Sequence, residues 1–225
     1  MKVYKLTDHN GKTRKETQWG PGISHSARGQ TCQPLCSDGW IHFYTNPLIA
    51  IFMNPVHVDF SSPRLWEAET SGEELHETLK SGCKTLTTLK EIPVPLVSST
   101  QKIALGILCA KEVYNDGAWS DELVKQLNKY QTNGVGHPYT WNEWADRWLS
   151  GENRTKESAK ATATSTYSFA VKIDCASSAY YAVSAAAAEN HSYPSYDAAR
   201  AVVSATNINS DIDFLNLVEK AMTYK

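Results

Sequence analysis

The pattern of residues changes its period once along this chain, and the change falls at Pro93-Val94-Pro95. Before it, Cys83-Lys84-Thr85-Leu86-Thr87-Thr88-Leu89-Lys90-Glu91-Ile92 is rich in β-branched residues and has no internal Gly or Pro, the mark of a strand. After it, apolar residues recur at helical spacing: Ile103, Ile107, Ala110 and Tyr114, then Trp141, Trp144, Ala145 and Trp148. The two prolines stiffen the exit from the strand and mark a boundary. The expected fold class is α+β: a small, mostly antiparallel sheet domain with a short helix over residues 1–97, then an α-helical region over 98–225 that is Ala-rich from about residue 155.

Within the first part, residues 2–7 read as a strand followed by the turn signal Asn10-Gly11. Gln18-Trp19-Gly20-Pro21-Gly22-Ile23-Ser24-His25 is denied a helix by its glycines and proline, which predicts a loop or irregular strand. There Trp19 is either a ligand-stacking face or a lid on the core. The densest signal lies at residues 35–53. Trp40, His42 and Tyr44 alternate with Ile41 and Phe43, so one strand carries two differently used faces. Asn46 then caps a short helix that begins at Pro47, with Asn54-Pro55 expected to end it. Over residues 64–70 a further strand places Leu65, Glu67 and Glu69 on one face and Trp66 and Ala68 on the other.

In the second part, Ser99 or Thr100 is expected to cap a helix ended by Asn115-Asp116-Gly117, and another helix is expected from about Ser120 to Tyr130. Thr140-Trp141-Asn142-Glu143 is a capping box, and Gly151 stops its helix. Residues 158–188, poor in charge and free of Gly and Pro, predict one long helix with a small-residue face. Pro194-Ser195 breaks it, a helix follows through Ala198 to Ala205, and Ser210-x-x-Asp213 opens a last one carrying Phe214, Leu217, Val218 and Ala221. Alanine-rich helices of this kind pack on one another or across an interface between copies, so a homo-oligomer through the C-terminal helices stays open.

A length of 225 residues allows one sizeable core or two small domains. A net charge of −2, with 22 basic against 24 acidic residues, gives no footprint for non-specific nucleic-acid binding. No apolar run is long enough to span a bilayer, and Met1-Lys2-Val3-Tyr4-Lys5 enters strand-like sequence with no signal-peptide core. The expected setting is cytoplasmic, with no membrane partner. Five cysteines, an odd number at low density, are expected to be reduced thiols. Cys32-x3-Cys36 could join Cys83 and His25 around zinc, yet it lacks a second closely spaced ligand pair, so neither a metal nor a cofactor is expected.

Tyr4-Lys5, Cys36 through Met53, Trp66 through Gly72 and Cys83 through Ile92 together resemble a bacterial and phage family of unknown function. Its members share a Cys-x-x-Gly-x-x-His element followed by Asn-Pro and a short helix, and often carry an Ala-rich helical tail like residues 155–225. The resemblance covers roughly residues 1–95 and implies a bacterial or phage-encoded protein, the latter acting in the host cytoplasm. At the level of fold, Val3-Tyr4-Lys5 and Gly39-Trp40-Ile41-His42-Phe43-Tyr44 are similar to elements of ADP-ribosyltransferases and RNA phosphotransferases. Lys5 stands where those enzymes carry His or Arg, and no Ser-Thr-Ser element is present.

There is no Gly-rich phosphate loop, nucleophile elbow or His-Glu-x-x-His motif. The first expectation is therefore a non-enzymatic binding protein that sequesters a nucleotide-like ligand or binds a host protein to counter host defence. Its candidate ligand-binding residues are Lys5, Trp19, His42, Tyr44, Arg64 and Glu67. The second is an ADP-ribosyltransferase-like enzyme acting on a dinucleotide, with Glu67 or Glu69 as its carboxylate. The third is a structural protein that oligomerises through the Ala-rich helices.

Overall fold

The computed structural model describes residues 2–115, 140–170, 174–188 and 193–225, and divides the chain into two compact units, Met1–Leu96 and Val97–Lys225. The expected helix near residues 120–130 lies outside the described residues. The architecture is α+β, with an antiparallel sheet in the first unit and helices filling the second.

In the first unit the strands are β1 (Lys2–Thr7), β2 (Lys12–Thr13), β3 (Thr17–Gln18), β4 (Ser24–Ser26), β5 (Ile41–Phe43), β6 (Arg64–His76) and β7 (Ser81–Ile92). β1 pairs with β6 and β6 with β7, while β4 and β5 pair with successive stretches of the other edge of β7. Just past β5, Tyr44 exchanges both backbone hydrogen bonds with Tyr4 of β1, each at 2.8 Å. That bridge closes β1, β6, β7 and β5 into a ring. Residues opposite each other in an antiparallel ladder share a face. Val3 opposite Ala68 therefore helps form a cluster with Trp19, Phe43, Cys83 and Leu86, against which Ile41 packs. Trp40, His42 and Tyr44 belong to the other face of their strand, the division that the alternation of residues predicts.

Helix α1 (Pro47–His57) starts as its sequence dictates, with Asn46 Oδ1 accepting from the Leu48 N–H at 2.8 Å and proline at the first helical position. It does not stop at Asn54-Pro55. Pro55 sits in the last turn, where its missing N–H forfeits one bond, and the N–H groups of Val58 and Asp59 both return to the Asn54 carbonyl. The Asn54 side chain fixes the exit by bonding both backbone groups of Phe60. The extra turn carries His57 into the structure.

The second unit contains α2 (Ser99–Asn115), α3 (Trp141–Ser150), α4 (Lys156–Ala170), α5 (Asp174–Ala187), α6 (Tyr193–Ile208) and α7 (Phe214–Met222). Ser98, one residue earlier than expected, caps α2 by a reciprocal pair of bonds with Gln101. The capping box of α3 forms as read, and Gly151 ends it in the left-handed region at φ 83°. The single long helix expected over 158–188 is instead two, α4 and α5, which pack against each other. Pro194 lies in the first turn of α6, and Asp213 rather than Ser210 caps α7. Alanines 159, 179, 182, 185, 198, 201 and 205 are buried among these helices. No helix among the described residues is long and apolar enough to cross a membrane.

Candidate functional site

β5 and the end of α1 bring His42, Tyr44 and His57 to one region of the first unit, and the turn before β7 adds Lys80. Gly82 stands opposite His42 in the ladder, and a Cβ there would lie 2.4 Å from Leu35 Cδ1. Leu35 is therefore pressed against the strand, and its carbonyl accepts from His42 Nε2 at 2.5 Å. A carbonyl only accepts, so the proton of neutral His42 sits on Nε2 and a second proton would go to Nδ1. His57 Nδ1 lies 3.0 Å from the Tyr44 hydroxyl, and the two rings stack with centroids 5.9 Å apart. Tyr44 is buried, which pushes its pKa upward and keeps the phenol neutral.

Burial is the largest influence on both histidines and disfavours their charged forms. His57 is pushed down to about 4 by burial first, then by the positive charges of Lys80 and His42. His42 is lowered by burial, against the opposing pull of the Leu35 carbonyl, and then by Lys5, Lys80 and Arg14. Every charged or titratable neighbour that shifts either ring is basic, and none is a carboxylate. Arg14, exposed on a turn in which Lys15 and Glu16 both adopt left-handed φ, at 60° and 56°, is the weakest of the charges acting on His42. Lys80 Nζ also donates to the Cys36 thiol at 2.7 Å.

The other expected ligand residues are placed differently. Trp19 is only 3% exposed and donates its indole N–H to Thr13 Oγ1 at 2.9 Å, so it is a core residue and offers no stacking face. Lys5 is 8% exposed, donates to the His42 carbonyl at 2.7 Å and lies 5.1 Å from the Trp19 ring, so its ammonium is spent on the interior rather than on a ligand. Arg64 pairs with Glu91 and lies over the Trp66 ring. Glu67 stands on the face of β6 opposite to Trp66 and Lys5, held by Lys2 at 2.5 Å and Lys90 at 3.3 Å. His42 and Tyr44 thus come together, while Arg64 and Glu67 are engaged in strand-surface ion pairs.

His57, Lys80 and Arg14 were not singled out by sequence. Placing the helix end at Asn54-Pro55 leaves His57 in a connection, and only long-range pairing brings the residues beside Gly82 next to His42. Among the described residues no three His, Cys, Asp or Glu side chains are grouped to hold a metal ion. A separate open cavity of about 420 Å³ lies in the second unit, lined in part by Leu108, Lys111, Asp146 and Tyr224. Lys111 is already paired with Asp146 there, and the lining holds two acidic residues, Glu112 and Asp146, and no histidine. Compared with known proteins, the chain matches no family model, no curated protein and no solved structure.

Proposed function

We propose that the first unit binds a phosphate-bearing, nucleotide-like small molecule at His42, His57, Lys80 and Arg14, and sequesters it without transforming it. The observation that carries this reading is the repulsion within the cluster: burial and basic neighbours push both histidines toward their neutral forms, with no carboxylate contributing. A di-anion or pyrophosphate relieves that repulsion, accepting hydrogen bonds from Lys80 and Arg14 and favouring protonation of the rings. In the tautomer in which the Tyr44 hydroxyl donates to His57 Nδ1, the proton on Nε2 is left as a donor for the ligand. A transferase would need an unengaged carboxylate beside the anion. Glu67 is engaged by Lys2 and Lys90, and Glu69 belongs to the same strand face.

The test is a thermal-shift screen of the whole protein against NAD, ADP-ribose, cyclic dinucleotides, mononucleotides, nucleosides and pyrophosphate, with chromatography of what is recovered. Phosphate-bearing ligands are expected to stabilise the protein, by about 2.7 kcal/mol at a hundredfold excess over Kd. Nucleosides are not, and Lys80→Ala should weaken the effect, as for an affinity about tenfold lower. Recovery of nicotinamide or another product would replace sequestration by catalysis, and equal stabilisation of Lys80→Ala would place binding elsewhere. Because the bound anion raises the histidine pKa values, binding takes up protons. Affinity for pyrophosphate should then rise as pH falls from 7.5 to 5.5, by up to about tenfold per pH unit for each proton taken up.

A further inference from the structure

Lys80 and Cys36 are far apart in sequence, yet the amine nitrogen lies 2.7 Å from the thiol sulfur. The other thiol contacts among the described residues are much longer, 3.6 Å from Cys32 to Gln30 and 3.7 Å from Cys83 to the Ile41 carbonyl. Cys36 is exposed, within reach of a dissolved oxidant, whereas Cys83 and Cys109 are buried. Among the described residues Lys80 forms no ion pair that would hold its nitrogen away from the sulfur. The amine and the exposed sulfur are thus held within reach of one another, and neither side chain belongs to the buried core.

We propose that peroxide joins Lys80 to Cys36 through a covalent nitrogen–sulfur bond, and that this link switches off the anion site. In the first step the Cys36 thiol is oxidised by hydrogen peroxide to sulfenic acid, one peroxide oxygen staying on sulfur and the other leaving as water. In the second, the neutral amine of Lys80 attacks that sulfur. The nitrogen–sulfur bond forms, the sulfur–oxygen bond breaks, and the hydroxyl leaves with an amine proton as a second water. One equivalent of peroxide is consumed, and the protein loses two hydrogens overall. Two equivalents of a thiol reverse it, restoring amine and thiol and yielding one disulfide of the reductant. The linked nitrogen no longer carries the ammonium charge that acts on both His42 and His57, so the site loses one of its cations. This last consequence rests on the anion-binding reading, and the cross-link does not.

The experiment treats the full-length protein with graded hydrogen peroxide, digests it without reductant and weighs the peptides. Expected is a joined pair of peptides carrying Cys36 and Lys80, about 2 Da lighter than their sum, with trypsin no longer cutting after Lys80. The pair should be absent from Cys36→Ser and from Lys80→Arg, and dithiothreitol should release it. Oxygen added to Cys36 with Lys80 still cleavable overturns the proposal, as does reaction at the exposed Cys32 alone. A joined pair about 14 Da heavier would keep an oxygen between the atoms and overturn the condensation. Pyrophosphate affinity of the linked protein should fall about tenfold, as for the loss of one charged hydrogen bond, with Cys36→Ser insensitive to peroxide. Unchanged affinity in a fully linked sample overturns the switch. A link that forms in a protein that binds no pyrophosphate in either state overturns the anion reading instead.

Discussion

His57 sits at the C-terminal end of α1, where the helix dipole favours a cation, yet its pKa is pushed down to about 4. Desolvation and two basic neighbours outweigh the dipole, which contributes less than about 1 kcal/mol at a solvated helix end. The folded state thus binds fewer protons than the unfolded chain between pH 6.5 and 4. A base with a lowered folded pKa contributes stability that is complete above the unfolded value and lost as pH falls through that window. Discounted for partial solvation, the loss is on the order of 2 kcal/mol. Denaturant midpoints measured from pH 7 to 4 should fall accordingly, and His57→Gln should flatten the fall; an unchanged slope would mean that the ring is solvated. Lys5 presents the opposite case of a buried charge retained inside the ring of strands, lowered to about 8 by burial. At neutral pH it is still charged, and its desolvation is offset in part by the His42 carbonyl and the Trp19 ring. Lys5→Met keeps the aliphatic volume and removes the charge, so it should stabilise the protein by about 1–3 kcal/mol. A lower denaturation midpoint would show that the bond to His42 outweighs that cost.

At the scale of elements, the site depends on how tightly the 35–44 segment lies on β7. Gly82 makes that approach possible, since a Cβ would meet Leu35 Cδ1 at 2.4 Å and Trp40 Cβ at 2.9 Å. Gly82→Ala should cost about 1–3 kcal/mol by overpacking. Because Leu35 supplies the carbonyl that orients His42, the same substitution should weaken pyrophosphate binding beyond any change at Gly22, where alanine is strained by a φ of 74° but an added Cβ meets nothing within 4 Å. Equal effects at the two glycines, measured by titration calorimetry, would separate the loop from the site. Much of this layer was legible in the sequence. The period-2 alternation gave the two faces of β5, Asn46-Pro47 gave the start of α1, and Thr140 with Glu143 gave the cap of α3. These are local effects, decided within a turn or a strand. Lys80 and the ring closure through Tyr4 and Tyr44 were not legible, because each depends on which distant strand lies alongside. Pro55 misled for a related reason. One lost hydrogen bond in a final turn costs less than the packing of the apolar helix that contains it, in which Ile49, Ala50, Ile51, Phe52 and Met53 are all buried.

For the whole molecule, the open question from composition was whether the Ala-rich helices meet each other or a second copy of the chain. Nine of the described alanines from 159 to 205 are buried, at positions 159, 179, 182, 185, 187, 198, 199, 201 and 205. Ala201 is fully buried, its carbonyl accepts from Ser178 of α5 at 2.8 Å, and its Cβ would touch a Cβ added to Gly106 of α2 at 3.3 Å. Three helices therefore converge at a point that has no space for a larger residue. Ala201→Leu should lower stability by about 1–3 kcal/mol in dilute protein, with no change in mass between low and high concentration by light scattering. It should leave pyrophosphate binding intact, since every residue of the anion site lies in the first unit. Were the alanine face an interface between copies, the same substitution would instead change the concentration dependence of the mass and spare the melting of the dilute protein. The two readings predict opposite pairs of outcomes, and the convergence of α2, α5 and α6 on Ala201 favours the first.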